Sequence, residues 1–168
     1  MSIVVIIGPS GAGKSTVAKV LVETYSFHLQ RTATTRPQRD QFDVSHTFID
    51  DHIFDTMLAS KAFFGTLNVY GYRYGLPLFD PKVPTILILR AVAVEELLAG
   101  FPDAVIVEID APLEFLEHRL QARDSSDRFD AEKITEEVAL GKSLTTYQFD
   151  SSKESSEEIA EQIAMLAT

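Results

Sequence analysis

A lysine and a hydroxyl directly behind a run of glycines are the first residues here able to do chemistry. Gly8-Pro9-Ser10-Gly11-Ala12-Gly13-Lys14-Ser15 fits the spacing G-x-x-x-x-G-K-[ST] at every fixed position. Glycines permit backbone angles that turn successive N–H groups inward around phosphate oxygens. The helix N-terminus that follows adds about half a positive charge. Lys14 should reach the β- and γ-phosphates of a nucleotide, and Ser15 should ligate Mg²⁺. Gly8, Ser10, Gly11, Ala12, Gly13 and Thr16 complete the cradle. The context the motif requires is present: a β-branched run, Ile3–Ile7, precedes it, and Val17, Val20 and Leu21 follow at helical spacing. With glycine at about 7% of average residues, a chance match in so short a chain is on the order of one in a hundred.

The elements that must hold this loop follow from the pattern of apolar residues. The strand Ile3–Ile7 is followed by a helix to about Tyr25 and a short strand near Phe27–Arg31. Thr32–His46 is polar, contains Pro37 and has no clear period. Asp50-Asp51 can cap a helix to about Ser60. Phe63–Val69 and Tyr72–Tyr74 read as strands around a turn at Tyr70-Gly71. Thr85–Leu89 and Ala104–Ile109 are buried strands, with a helical stretch over Val92–Leu98 between them. Helices are expected from Leu113 to about Arg123 and from Ala131 to about Gly141, separated by the polar break Asp124–Asp130. A short strand at Tyr147–Phe149 and an amphipathic helix over Glu154–Leu166 close the chain. Strand–helix alternation at both ends, around a strand-rich insert, predicts an α/β fold with a mainly parallel sheet flanked by helices.

Composition bounds the partners. The chain has 168 residues, 15 basic against 25 acidic, for a net charge of −10. That length is one domain, and it can bury a real core. The acidic balance argues against nucleic acid as a partner, which needs a basic footprint. Any attraction for an anionic ligand must then be local. There is no cysteine, which removes disulfides, zinc–thiolate sites and thiol catalysis and fits the cytoplasm. No apolar run approaches about 18 residues, so no membrane span is expected. Ile3–Ile7 has no basic residue before it and reads as a strand, not a signal peptide.

Four motifs in order resemble the guanylate kinase family of P-loop kinases. They are Gly8–Thr16, Thr34-Thr35-Arg36-Pro37-Gln38-Arg39 (similar to T-T-R-x-x-R), Tyr72-Arg73-Tyr74-Gly75 (similar to Y-Y-G), and Arg119-Leu120-Gln121-Ala122-Arg123 (similar to R-L-x-x-R). The resemblance implies one kinase domain with a core at 1–31 and 84–168, an acceptor-binding insert at about 32–83 and a lid at about 124–131. It implies ATP and Mg²⁺ as cofactors and a phosphorylated small molecule as the acceptor. It is compatible with a homodimer. Residues matching Arg36, Arg39 and Tyr74 hold the acceptor's phosphate in that family, and arginine suits the task by bidentate, charge-assisted bonds. Arg119 and Arg123, four apart on one helix face, should converge with Arg128 on the donor phosphates as a catalytic group. The plainer readings are a solvated loop for Arg36 and Arg39, a half-buried strand aromatic for Tyr74, and surface ion pairs with Glu117, Asp124 or Asp127 for the other three.

The insert departs from the family where guanine is read. Aligned without gaps from Phe48, the guanine-reading glutamate falls on Gly65, the residue after Y-Y-G on Leu76, and a tyrosine on His46. Arg90 stands where the family has an acid. With Arg73 it could serve a second anionic group on the acceptor, and His46 could assist. In those features the chain resembles the ribose 1,5-bisphosphate phosphokinases, whereas Arg39 looks more like guanylate kinase. A strand-end salt bridge is the plainer reading of Arg90, and a satisfied loop histidine that of His46. Asp110 and Asp40 are weak candidates for a second Mg²⁺ carboxylate. GMP is the default acceptor, ribose 1,5-bisphosphate the alternative, and a non-catalytic binding module of the same fold a third reading. A small GTPase would need a guanine-reading N-K-x-D, which the chain lacks.

Overall fold

The strand that opens the chain, β1 (Ile3–Ile7), is buried at every residue in a computed structural model that describes residues 2–145 and 147–168. A strand covered on both faces needs an unbroken apolar run, because its alternate side chains enter two different cores. Val4 and Ile6 pack with Val17, Ala18 and Leu21 of α1 (Lys14–Tyr25) and with Ile159 and Ile163 of α6 (Ser156–Leu166). Ile3, Val5 and Ile7 pack with Val94 and Leu97 of α3 (Val94–Leu97) on the opposite face. The result is a helix–sheet–helix sandwich.

The central sheet places β2 (His28–Leu29), β7 (Thr85–Ile88), β1, β8 (Val105–Asp110) and β9 (Tyr147–Asp150) side by side in that order, all parallel. Such doubly wound sheets bind ligands in the crevice beyond the strands' carboxyl ends. The glycine loop leaves β1 at that end. On the far side of β8, α4 (Leu113–Ala122) leads through a 3₁₀ turn at Ser126–Arg128 into α5 (Ala131–Leu144). The expected polar break at Asp124–Asp130 is this turn.

A second, four-stranded sheet orders β4 (His46–Phe48), β3 (Thr32–Thr34), β6 (Tyr72–Pro77) and β5 (Phe63–Val69). The Asp50 carboxylate accepts from Ile53 N at 2.8 Å and caps α2 (Asp51–Ala59). Four expectations need correction. The strand expected at Phe27–Arg31 covers only His28–Leu29, and the aperiodic stretch Thr32–His46 begins and ends in strands. Three residues are too few for a period of two to show. The strand expected at Tyr72–Tyr74 continues to Pro77, because Gly75 accepts the Phe63 ring against its backbone; a Cβ there would stand 2.6 Å from Phe63 Cε1. The final helix starts at Ser156, where Ser155 and Glu158 form a reciprocal cap. Among the described residues, no helix is long and apolar enough to cross a membrane.

Candidate active site

The glycine loop is built from left-handed backbone. Gly11 has φ 86° and Gly13 φ 96°. A Cβ on Gly13 would meet nothing within 4 Å, so it is the backbone angle that demands glycine there. Gly13 is also the N-cap of α1, which points the helix's free N–H groups into the loop. Lys14 folds back across the loop and donates from Nζ to the Pro9 carbonyl at 2.7 Å. Ser10, Gly11, Lys14 and Ser15 line a cavity of about 70 Å³ together with Arg123, Arg128, Asp43 and Ser45. Ser15 and Thr16 are exposed.

Cations converge on this cavity. Burial pulls Lys14 down to about 8; Arg128, Arg90 and Arg123 push it the same way, and Glu137 opposes them. Burial lowers Arg123 from its ordinary value, and Arg128 adds to the effect. Arg39 is lowered likewise, first by burial and then by Arg36, Arg90 and Arg128. Cations that depress one another are a cluster awaiting negative charge. The net charge of −10 is therefore no guide to the local field.

Beside the cavity, a cleft of about 510 Å³ is lined by Ser10, Arg39, Tyr70, Arg90, Arg128 and Lys133, with the acidic Asp127, Asp130, Glu136 and Glu137 also on its border. Arg90 and Arg39 make no ion pair among the described residues, so the salt bridge considered for Arg90 does not form. The Arg90 guanidinium lies 5.7 Å from the Tyr70 ring centre, and Lys133 Nζ approaches the same ring at 5.7 Å.

The loop after β3 is organised by one carboxylate. Arg36 holds Asp43 in a fork, Nη1 to Oδ2 at 2.7 Å and Nη2 to Oδ1 at 3.2 Å, and both residues are buried. Arg39 N donates to the same carboxylate at 3.0 Å, and His46 Nδ1 stands 3.7 Å from it. Burial alone would raise the Asp43 pKa, but His46, Arg36 and the Arg39 N–H hold it well below the usual carboxylate range. The Arg36 fork is thus taken up inside the loop, and its buried Nε is left without a partner. Tyr74 is buried and meets His46 edge-on at 5.8 Å. His46, Tyr74 and Arg90 border one small pocket with Thr32 and Leu97.

Two arginines stand elsewhere than expected. Arg73 is not in the cleft: it pairs with Asp55 at 2.8 Å and Asp51 at 3.3 Å on α2, with its guanidinium 4.2 Å from the Phe54 ring centre. Neighbours on a strand face opposite ways, so a Tyr74 in the pocket puts Arg73 outside it. Arg119 does not converge with Arg128. It donates to the Gly11 carbonyl at 3.1 Å and to Ser151 Oγ and O, both at 2.8 Å. It lines a separate cleft of about 240 Å³ with Ala12, Gly13, Thr16 and Arg123. Arg123 borders both this cleft and the glycine-loop cavity.

The two acidic candidates differ in how far they are engaged. Asp110 accepts from Ala111 N at 2.7 Å, and Asp40 is held by Ser125 and Arg128. Among the described residues, no group of three His, Cys, Asp or Glu is placed to hold a metal ion. Sequence reasoning missed Asp43, Ser125, Tyr70 and Lys133. Only Lys133 carried a signal: a cation in the first turn of a helix opposes the dipole, which suggests a task elsewhere.

No family model matches the chain. A guanylate kinase of Nitrosococcus oceani is 34% identical over 132 residues, 73% of this chain and 65% of that protein. The chain therefore spans slightly less than two thirds of that relative's length. The fold is similar to the crystal structure of a guanylate kinase from Anaplasma phagocytophilum, with TM-score 0.67, 19% identity, 98% of this chain and 84% of that one covered. It is also similar to a shikimate kinase from Acinetobacter baumannii, with TM-score 0.55, 14% identity and coverage of 99% and 92%. The chain is thus similar to guanylate kinases in sequence along most of its own length, and in its layered α/β architecture around a glycine loop.

Proposed function

We propose that the protein transfers the γ-phosphoryl group of ATP to a small molecule that already carries a phosphate, with a nucleoside monophosphate, GMP first, as the acceptor. One observation carries this reading: Lys14, Arg39, Arg90, Arg123 and Arg128 line adjoining cavities at the glycine loop of an otherwise acidic chain. The donor's phosphates would lie on the loop N–H groups, Lys14, Arg123 and Arg128, with its base toward the cleft that holds Arg119. The exposed Ser15 hydroxyl is the protein oxygen suited to Mg²⁺, the phosphates and water completing the shell. Such an ion would neutralise charge between the β- and γ-phosphates. Arg39, the Nε edge of Arg36, and Tyr74 would seat the acceptor's phosphate. One of its oxygens then attacks the γ-phosphorus in line, and the bond to the β–γ bridging oxygen breaks. Positioning and the arginine field supply most of the acceleration.

A second reading rests on Gly65 and Arg90. A Cβ on Gly65 would stand 2.7 Å from the Glu96 carbonyl oxygen and 3.3 Å from Leu97 Cα, so β5 already sits tight against α3. The pocket beside Arg90, His46 and Tyr74 holds about 10 Å³, room for about one water molecule and not for a purine. A multiply anionic sugar phosphate such as ribose 1,5-bisphosphate needs no base pocket and would engage Arg90 and Arg39. ADP release with GMP, other monophosphates and ribose 1,5-bisphosphate separates the readings. Turnover with GMP supports the first and turnover with the bisphosphate the second. Turnover with no phosphorylated acceptor refutes both and favours a binding module.

A further inference from the structure

Three segments far apart in sequence meet at the paired side chains of Asp40 and Arg128. Asp40 Oδ2 accepts from Ser125 Oγ at 2.7 Å and from Arg128 Nη1 at 3.1 Å, while Oδ1 accepts from Phe42 N at 2.8 Å. Arg128 Nη2 donates to Ser10 Oγ at 3.1 Å, and its buried Nε has no partner. We propose that Asp40 is a positioning residue that fastens the turn between α4 and α5 to the loop after β3 and so sets the Arg128 fork against the glycine loop. The proposal rests on the reading of that crevice as a phosphate site.

The geometry fits this role better than that of a surface ion pair. Ser125 is buried, at 2% exposure, and the Arg128 and Asp40 side chains are only 18% and 17% exposed. One carboxylate oxygen takes both donors from the far segment and the other takes a donor from its own loop, so a single group fixes the two segments relative to each other. With Nη1 and Nη2 each holding one partner, the Arg128 guanidinium is fixed in orientation, and the second N–H of each Nη is left for a phosphoryl oxygen. A second strap lies alongside: Arg123 sits 4.9 Å from the ring centre of Phe42, two residues beyond Asp40. Arg39, the neighbour on the other side, lines the large cleft. Seating an anion on Arg39 would therefore stiffen the loop that holds Arg128. Asp40 touches neither ligand; it acts through Arg128.

The test compares wild type, Asp40→Ala and the shape-preserving Asp40→Asn in the free protein and in turnover. The Arg128 and Phe129 N–H groups bond to Ser125 O and Ser126 O, so their hydrogen exchange reports the turn directly. We expect exchange at these two amides to rise at least about tenfold in Asp40→Ala while β1 amides stay unchanged. We expect kcat to fall about 10–100-fold with KM for ATP within about threefold, and Arg128→Ala in the Asp40→Ala background to add little. Exchange within about twofold of wild type in both variants overturns the proposal. So does faster exchange with unchanged kcat, or a double variant whose loss is the product of the two singles. The exchange measurement needs no substrate, so a wild-type protein that phosphorylates nothing refutes the proposed activity and still leaves the clasp judged on its own.

Discussion

Removing the Asp43 carboxylate should unfold this protein more readily than any change on its surface. Asp43 and Arg36 are each 6% exposed, and Asp43 also accepts from Arg39 N. Asp43→Ala leaves a buried guanidinium without its counter-ion, a change that typically costs 3–5 kcal/mol. Three hydrogen bonds to a charged group, at about 1.5–3 kcal/mol each, would give more. Asp43 borders the small phosphate cavity, however, so water can reach the vacated site. About 3 kcal/mol is then the expected loss, or about 6–12 °C in Tm at about 2–4 °C per kcal/mol for a domain of this size. Urea denaturation at pH 7 measures it. The pH dependence carries a sign. The folded-state pKa of Asp43 is depressed, so its stabilisation is complete above the unfolded value near 3.9 and is lost as pH falls through the folded value. The gap between wild type and Asp43→Ala should be flat above about pH 5 and shrink below about pH 4. Combining Arg36→Met with Asp43→Leu should recover most of the loss, because an apolar pair strands no charge. A loss under about 1 kcal/mol at pH 7, or a gap as large at pH 2 as at pH 7, would contradict this.

Further outcomes follow from other sites. Burial lifts Glu108 to about 7; Asp110 and Glu137 add to the effect, Lys142 opposes it, and Oε2 is buried without a partner. This pKa is raised, so the native state keeps a proton that the unfolded chain has lost between about pH 4.5 and 7, and stability falls across that window. Glu108→Gln should therefore be about 1–3 kcal/mol more stable than wild type at pH 8 and nearly equal at pH 4.5 by urea midpoint; the opposite ranking would show that the carboxylate is ionised and paired. Lys14, near 8 in the free protein, must be protonated to meet a phosphate. Calorimetric affinity for ADP should thus weaken about tenfold from pH 7 to pH 9, and an unchanged affinity would place Lys14 away from the anion. Arg119→Ala should raise KM for ATP about tenfold with a smaller change in kcat, because Arg119 lies in the outer cleft; a loss confined to kcat would return it to the catalytic group.

The glycine loop was legible because its residues are contiguous and its flanking strand and helix carry strong periods. The parallel core followed from β-branched runs that no half-exposed strand would carry. Lys14, Arg39, Arg90, Arg123 and Arg128 do gather around the crevice, although a resemblance had nominated most of them. Arg73 could have been excluded from sequence, since an inward Tyr74 turns its neighbour outward. Arg119 and Arg123 share a helix face and the outer cleft, but one turn of about 5.4 Å separates them, enough to keep Arg119 out of the glycine-loop cavity. The Arg36–Asp43 fork and the Asp40–Ser125 contact join loop residues seven and 85 positions apart. Neither spacing carries a period, so only the folded loop discloses them. The acidic net charge argued against a nucleic-acid partner on general grounds, yet it concealed a crevice whose cations depress one another's pKa.

The central claim is phosphoryl transfer at the glycine loop. Following radiolabelled γ-phosphate from ATP, with wild type and Lys14→Ala assayed in parallel, tests it most directly. Label should move onto a phosphorylated acceptor with one ADP formed per transfer, and Lys14→Ala should slow this by about 10²–10³-fold. Label released only as inorganic phosphate, or equal transfer by Lys14→Ala, would contradict it.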